Sequence, residues 1–310
     1  MRLAGRPESD PEVTAARSAI PRWGVARAIL DAQWPDGYWI KPDVGYSPKY
    51  KATVWQLIFL AALGTPLTGE LERACTHVLD HSRLLDGRFS AKQNEQGAVA
   101  CLSGNLLRAM SQMGFIDDRL DESSEAMAKA VLRDEFRCRY NAPGAGPGAW
   151  PARMSDGLPC AWGAIKVLGA LAEVPLPRRS TTMRDAIEAS AALLLAHDLV
   201  RGDYPTSTEP SPLWQRFGFP LGYTSDLLEA LEVLGQLGAE RTPQITRALH
   251  VVRGKMGPLG RWSLEYTPEN TWASFGELGQ DNKWVTLRAL AVFKLWEAED
   301  PGAEWQPRDP

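Results

Sequence analysis

The sequence predicts an all-α fold, a single α/α toroid of about five outer/inner helix pairs. Three observations carry this. First, a Gly-aromatic turn recurs five times: Gly37-Tyr38-Trp39, Gly87-Arg88-Phe89, Gly148-Ala149-Trp150, Gly202-Asp203-Tyr204 and Gly260-Arg261-Trp262, at spacings of 50, 61, 54 and 58 residues. A period of this size marks a repeat architecture. Second, each turn is followed by a strongly apolar stretch: 52–64, 101–114, 160–173, 225–238 and 283–296. A helix that is apolar all round must be buried on most sides. Third, amphipathic stretches come between them. Leu71, Ala74, Cys75, Val78 and Leu79 recur at helical spacing, as do Ile245, Ala248, Leu249 and Val252, which is the pattern of helices with one wet face. Half-wet and fully buried helices in alternation describe an outer and an inner layer.

The elements follow in order. Residues 1–20 carry Gly, Pro, Ser and charge with little periodicity, and are expected to be a flexible tail. Residues 21–298 hold the repeats and are expected to form one toroid domain. Residues 299–310 are a second tail, because their prolines remove N–H donors and fix φ. Each turn needs Gly for a free backbone, and its aromatic ring then packs between repeats.

Composition narrows the function. Hydrophobic residues make up 44% and charged residues 23%, with a net charge of −4 and no basic run, so no nucleic-acid partner is expected. No apolar run reaches the ~18 residues of a membrane span, so no transmembrane segment is expected. The polar N-terminus lacks a signal-peptide core, which leads to the expectation of a cytoplasmic protein. Four cysteines at irregular spacing do not form a disulfide framework.

Aligned on their last residues, the apolar helices begin with Lys51, Cys101, Cys160, Ser225 and Lys283. Two cysteines thus hold equivalent places in neighbouring repeats. Outer helices end, and inner helices begin, on one rim of such a toroid. Cys101, Cys138, Cys160 and His197 are then neighbours on that rim, a Cys3His set suited to tetrahedral zinc. His81 is the reserve fourth ligand. The alternative is a set of buried core thiols. Cys75 belongs to packing, and His77 and His250 to the surface.

Further candidates lie at the same mouth. Trp214, Arg216, Phe217, Phe219 and Tyr223, together with Trp162, are candidate substrate-binding residues around an apolar cavity expected to reach about 300 Å³ or more. The alternative for the aromatic run is a plug in the toroid mouth. Asp226 and Lys283 are the candidate catalytic residues, either of them as acid or as base, against the commoner role of surface capping.

The turn Gln33-Trp34-Pro35-Asp36-Gly37-Tyr38-Trp39 resembles the Gln…Gly-x-Trp turn of the squalene cyclase and prenyltransferase superfamily, and Met256-Gly257-Pro258-Leu259-Gly260-Arg261-Trp262 is a weaker copy. The resemblance covers about residues 21–297. It implies a toroid of paired helices with a central cavity, commonly for prenyl or terpenoid chains. Protein prenyltransferases also hold a rim zinc, through an Asp, a Cys and a His. Here no Asp-x-Cys pair precedes an inner helix, and the Cys-His-Gly element of the lanthionine cyclases is absent, so no catalytic residue carries over. The Asp-x-Asp-Asp motif of class II terpene cyclases is absent too. Asp117-Asp118-Arg119-Leu120-Asp121 matches the class I diphosphate motif, but its place before a helix fits capping better.

The leading expectation is an enzyme acting on an apolar small molecule, isoprenoid-derived in the favoured case, in a central cavity with zinc on one rim. The alternatives are a non-catalytic toroid that binds a lipid or a protein, and a carbohydrate-active toroid. The last needs two convergent carboxylates, for which Asp226 and Asp156 are the candidates.

Overall fold

The computed structural model describes residues 7, 9–137, 158–204 and 210–297. Among these the fold is all-α. The helices are α1 (Pro11–Ala19), α2 (Gly24–Leu30), α3 (Thr53–Ala62), α4 (Gly69–His81), α5 (Ala100–Met113), α6 (Asp118–Arg133), α7 (Ala161–Glu173), α8 (Thr181–Leu195), α9 (Leu227–Gln236), α10 (Pro243–Gly254) and α11 (Lys283–Glu297). Among the described residues β pairing is confined to isolated bridges. The apolar stretches become α3, α5, α7, α9 and α11, shifted by no more than two residues at either end.

Burial follows the two sequence patterns. Every residue of α3 from Thr53 to Ala61 is buried. In α10 only Ile245, Ala248, Leu249 and Val252 are buried, one stripe along an otherwise wet helix. The apolar helices touch in chain order: α3 on α5, α5 on α7, α7 on α9 and α9 on α11. The amphipathic helices pack on their outside, α4 on α3, α6 on α5 and α7, α8 on α7, and α10 on α9. The helices α5 and α7 approach closely. A Cβ on Gly104 would lie 2.5 Å from the backbone of Lys166, so only glycine allows it.

The repeat is written into the hydrogen bonds. Trp39 Nε1 donates to Ile29 O at 2.8 Å, Trp262 Nε1 to Val252 O at 2.7 Å, and the Tyr204 hydroxyl to Leu194 O at 3.2 Å. Each ring reaches back ten residues, into the amphipathic helix that precedes it. The same turns also reach forward. Trp39 N–H donates to Thr53 Oγ1, Phe89 N–H to Ser103 Oγ and Trp262 N–H to Thr286 Oγ1, all in the apolar helix that follows. Gly37, Gly87, Gly202 and Gly260 all have φ between +65° and +93°, the left-handed conformation that a Cβ opposes. The third turn, at Gly148, lies outside the described residues.

One expected loose segment is ordered. Residues 11–19 form α1, because Asp10 caps it by accepting from Glu12 N–H and Pro11 stands in its first turn, where no N–H is needed. Val13 anchors the helix by burial. At the other end of the chain, residues 266–275 return to α3. Trp272 Nε1 donates to Lys51 O at 2.9 Å, and the rings of Phe275 and Phe59 meet edge-on at 5.6 Å.

Candidate functional site

The cysteine rim comes first. Cys160 is the N-cap of α7, its Sγ accepting from Gly163 N–H at 3.4 Å, and Cys101 is the second residue of α5. Both line one small cleft with Val99, Met127, Val131 and Phe136. Its interior volume is about 40 Å³, room for one or two waters. Among the described residues the cleft at the thiols is thus far smaller than the expected 300 Å³. Cys138 and Asp156 lie outside the described residues. His197 packs against the ring of Tyr204 at 5.4 Å. Among the described residues no three His, Cys, Asp or Glu side chains gather as a metal set.

The other histidines sit on α4. His77, expected at the surface, is 7% exposed, with Nε2 2.9 Å from Asp43 O and burial lowering its pKa. His81 stacks on it at 4.1 Å. They border a solvent-open groove of about 620 Å³ with Asp36, Glu72, Arg73 and Asp80. Cys75 is fully buried, and burial pushes its thiol far up, in keeping with a packing role. Asp117 caps α6 through Arg119 N–H and forms an ion pair with the Arg119 guanidinium, so the Asp-Asp-x-x-Asp segment serves as a helix start.

The aromatic run is mostly core. Trp214 and Phe217 are each 1% exposed and Phe219 is 4% exposed, so they fill space where a pocket wall was expected. The physical reason is a polar handle plus tight neighbours. Trp214 Nε1 donates to Leu199 O at 2.7 Å, and Phe219 stacks flat on Trp284 at 5.0 Å. Arg216 is exposed, whereas Tyr223 and Trp162 are half-buried. The segment is tied to the apolar helices: Asn105 Nδ2 of α5 donates to Gly222 O and Lys166 Nζ of α7 to Thr224 O.

Asp226 is equally enclosed, at 1% exposure. Its carboxylate caps α9 by accepting from Glu229 N–H, takes Gly218 N–H at 3.0 Å, and receives two bonds from Arg288 at 2.7 and 2.8 Å. Burial acts to raise its pKa, but the Arg288 guanidinium and the two backbone donors outweigh it and hold the pKa below the usual value. Both oxygens of this carboxylate are engaged, so a role as acid or base would first require breaking its bonds to Arg288 or to the backbone. The pairing has a consequence for stability. A depressed carboxylate pKa stabilises the fold above the unfolded value near 3.8, and that contribution is lost as the pH falls through the lower folded value. Asp226→Asn should therefore flatten the acid limb of a stability-versus-pH curve; an unchanged limb in the variant would refute this. Lys283, the other catalytic candidate, is exposed, with Nζ 4.6 Å over the ring of Trp284.

What the sequence patterns did not single out is a buried ionic network shared by four apolar helices. Lys166 of α7, 1% exposed, holds the Glu229 carboxylate of α9 at 2.6 and 2.7 Å. Arg108 of α5 is 3.5 Å from Glu229 and 2.6 Å from Glu232. Asp226–Arg288 links α11 to the same side of α9. Burial lowers the Lys166 pKa. Burial also acts against the charge on Arg108, but Glu232, Glu229 and Glu173 overcome it. The signal available was charge inside otherwise apolar helices: Arg108 in α5, Lys166 in α7, Glu229 and Glu232 in α9, and Arg288 in α11.

Around the starts of α3, α9 and α11 lies the remaining exposed chemistry. Tyr46, Tyr50, Tyr223, Tyr266, Trp272 and Trp284 are half-buried. Three lysines lie over these and neighbouring rings: Lys49 over Tyr50, Trp55 and Tyr223, Lys51 over Trp272, and Lys283 over Trp284. No protein-family model and no curated protein matches the chain.

Proposed function

We propose that this chain is a closed toroid of the squalene cyclase and prenyltransferase type that acts as a binding protein, taking a small organic molecule or lipid at its aromatic rim. The recurrent turn-to-helix hydrogen bonds and the ordered contacts of the apolar helices support the repeat architecture. The return of residues 266–275 onto α3 supports ring closure. The observation that carries the functional reading is the Lys166–Glu229 pair with its neighbours Arg108, Asp226 and Arg288. These charged side chains sit between the apolar helices, where they disfavour an apolar ligand, and Gly218 and Thr224 of the segment 218–225 bond to them. Half-buried Tyr and Trp at the rim supply contact area at low entropic cost, and such residues dominate recognition surfaces.

The test is a ligand panel of lipids, isoprenoids and small organic molecules read by tryptophan fluorescence. The wild type should show a saturable shift with a panel member, lost in Trp272→Ala or Tyr223→Ala and kept in Cys101→Ser. Chemical turnover of the bound molecule, or loss of binding in Cys101→Ser alone, would favour the enzyme reading. That second reading is favoured by one specific observation, the shared cleft of Cys101 and Cys160. It requires about one zinc per full-length chain, lowered by either Cys→Ser change.

A further inference from the structure

The rim contains a box of rings with a cation in it. Trp55, fully buried, is the floor, locked by its Nε1 bond to Tyr46 O at 2.8 Å. Tyr50 and Tyr223 stand edge-on to it, each 5.1 Å from its centre at 71° and 72°. Tyr46 completes the wall, 5.4 Å from Trp55 and 6.1 Å from Tyr223. Glycine permits the closeness, for a Cβ on Gly222 would lie 3.3 Å from both Trp55 and Tyr50. The occupant is the ammonium of Lys49, 4.9 Å from the Tyr50 ring, 5.7 Å from Tyr223 and 5.8 Å from Trp55.

Lys49 is exposed and has no carboxylate within ion-pair distance among the described residues. Its ammonium therefore sits against π faces although water is available to it. Ring faces are negative and attract a cation within about 6 Å, and the three rings near the Lys49 ammonium are not coplanar, since Tyr50 and Tyr223 stand at 71° and 72° to Trp55. A quaternary ammonium suits such a box better than a primary one, since it is larger, more weakly hydrated and asks for no hydrogen bonds. Lys49 is carried on an exposed loop, 46–50, and can leave without breaking an ion pair.

We propose that Tyr46, Tyr50, Trp55 and Tyr223 form a binding cage for a quaternary ammonium group, with Lys49 as its tethered stand-in. The proposal rests on the rim-binding reading and names its ligand class. A trimethylammonium would displace Lys49 outward and take its place over the three rings. The same chemistry is offered by a free small molecule and by a lipid headgroup.

The experiment compares choline with its neutral isostere 3,3-dimethylbutan-1-ol, by calorimetry and tryptophan fluorescence, on the full chain. Lys49→Ala, which removes only an exposed side chain, should bind choline about tenfold more tightly than the wild type does and about tenfold more tightly than it binds the alcohol. Tyr223→Leu in the Lys49→Ala background should remove that preference, with circular dichroism confirming the fold. Phosphatidylcholine vesicles form a third arm: binding there but not to choline assigns the group to a lipid. Equal affinity of Lys49→Ala for choline and the alcohol overturns the cage while leaving rim binding in place. No binding of choline or vesicles by folded Lys49→Ala overturns the cage, and the ligand panel then decides separately whether the rim reading survives.

Discussion

Lys166→Met is expected to destabilise the protein by about 3–5 kcal/mol, the cost of breaking a buried ion pair on one side. The ammonium is the nearest cation to the Glu229 carboxylate, and both groups are out of water. Without it Glu229 keeps only Arg108 at 3.5 Å, and Arg108 is already engaged by Glu232 at 2.6 Å. The double variant Lys166→Met/Glu229→Met should recover most of the loss, because two apolar side chains replace two charges that no longer need solvation. Arg108 retains Glu232 in that background. Urea titrations with an unchanged slope would measure the cycle. Additive costs in the double variant would show that the two groups are not coupled, and would remove the network from the account of the core.

Trp214→Ala should be about as damaging, on the order of 3–5 kcal/mol for a fully buried Trp truncated to Ala. The ring lies over Gly202, where an added Cβ would come within 2.5 Å of it, and edge-on to Tyr204 at 5.1 Å. Its indole N–H bonds Leu199 O, so truncation also orphans a buried carbonyl. Trp214→Phe keeps much of the volume and should cost less. The discriminating result is the opposite one. A loss below about 1 kcal/mol, well under the usual truncation cost, together with altered ligand preference, would return Trp214 to the wall of a pocket.

Several features of the fold were legible because they depend on local chemistry. The apolar run 54–63 and the stripe Ile245, Ala248, Leu249, Val252 each state how much of a helix must be covered, and the structure buries them accordingly. The Gly-aromatic turns needed a positive φ and a place for a ring, and the four described ones have both. The α1 helix was missed because its start rests on a single cap, Asp10, and one buried side chain, Val13, which are too few to register as periodicity.

The site was less legible, for a reason of the same kind. Cys101 and Cys160 were placed together by repeat phase alone, and they do line one cleft. Phase says nothing about how tightly the neighbouring helices close, so the expected cavity was not legible. Asp226 was recognisable as a helix start, but its partner Arg288 lies two helices further along the chain, in α11. The cage followed the same logic: Tyr46 and Trp55 belong to the first repeat, Tyr223 to the fourth, and only folding sets their faces around one point.

By itself the sequence determined the helical class, the repeat, the alternation of wet and buried helices and the turn chemistry. Each of these follows from spacing within a segment and from the cost of leaving apolar surface in water. Only the tertiary structure decided that Lys166 meets Glu229, that Trp214 is core and that Lys49 sits among three rings. Those outcomes depend on distances between residues as far as 63 and 174 positions apart in the chain, Lys166 from Glu229 and Lys49 from Tyr223. Such distances are set by how helices slide and tilt against one another when they pack, and no local pattern encodes that relation.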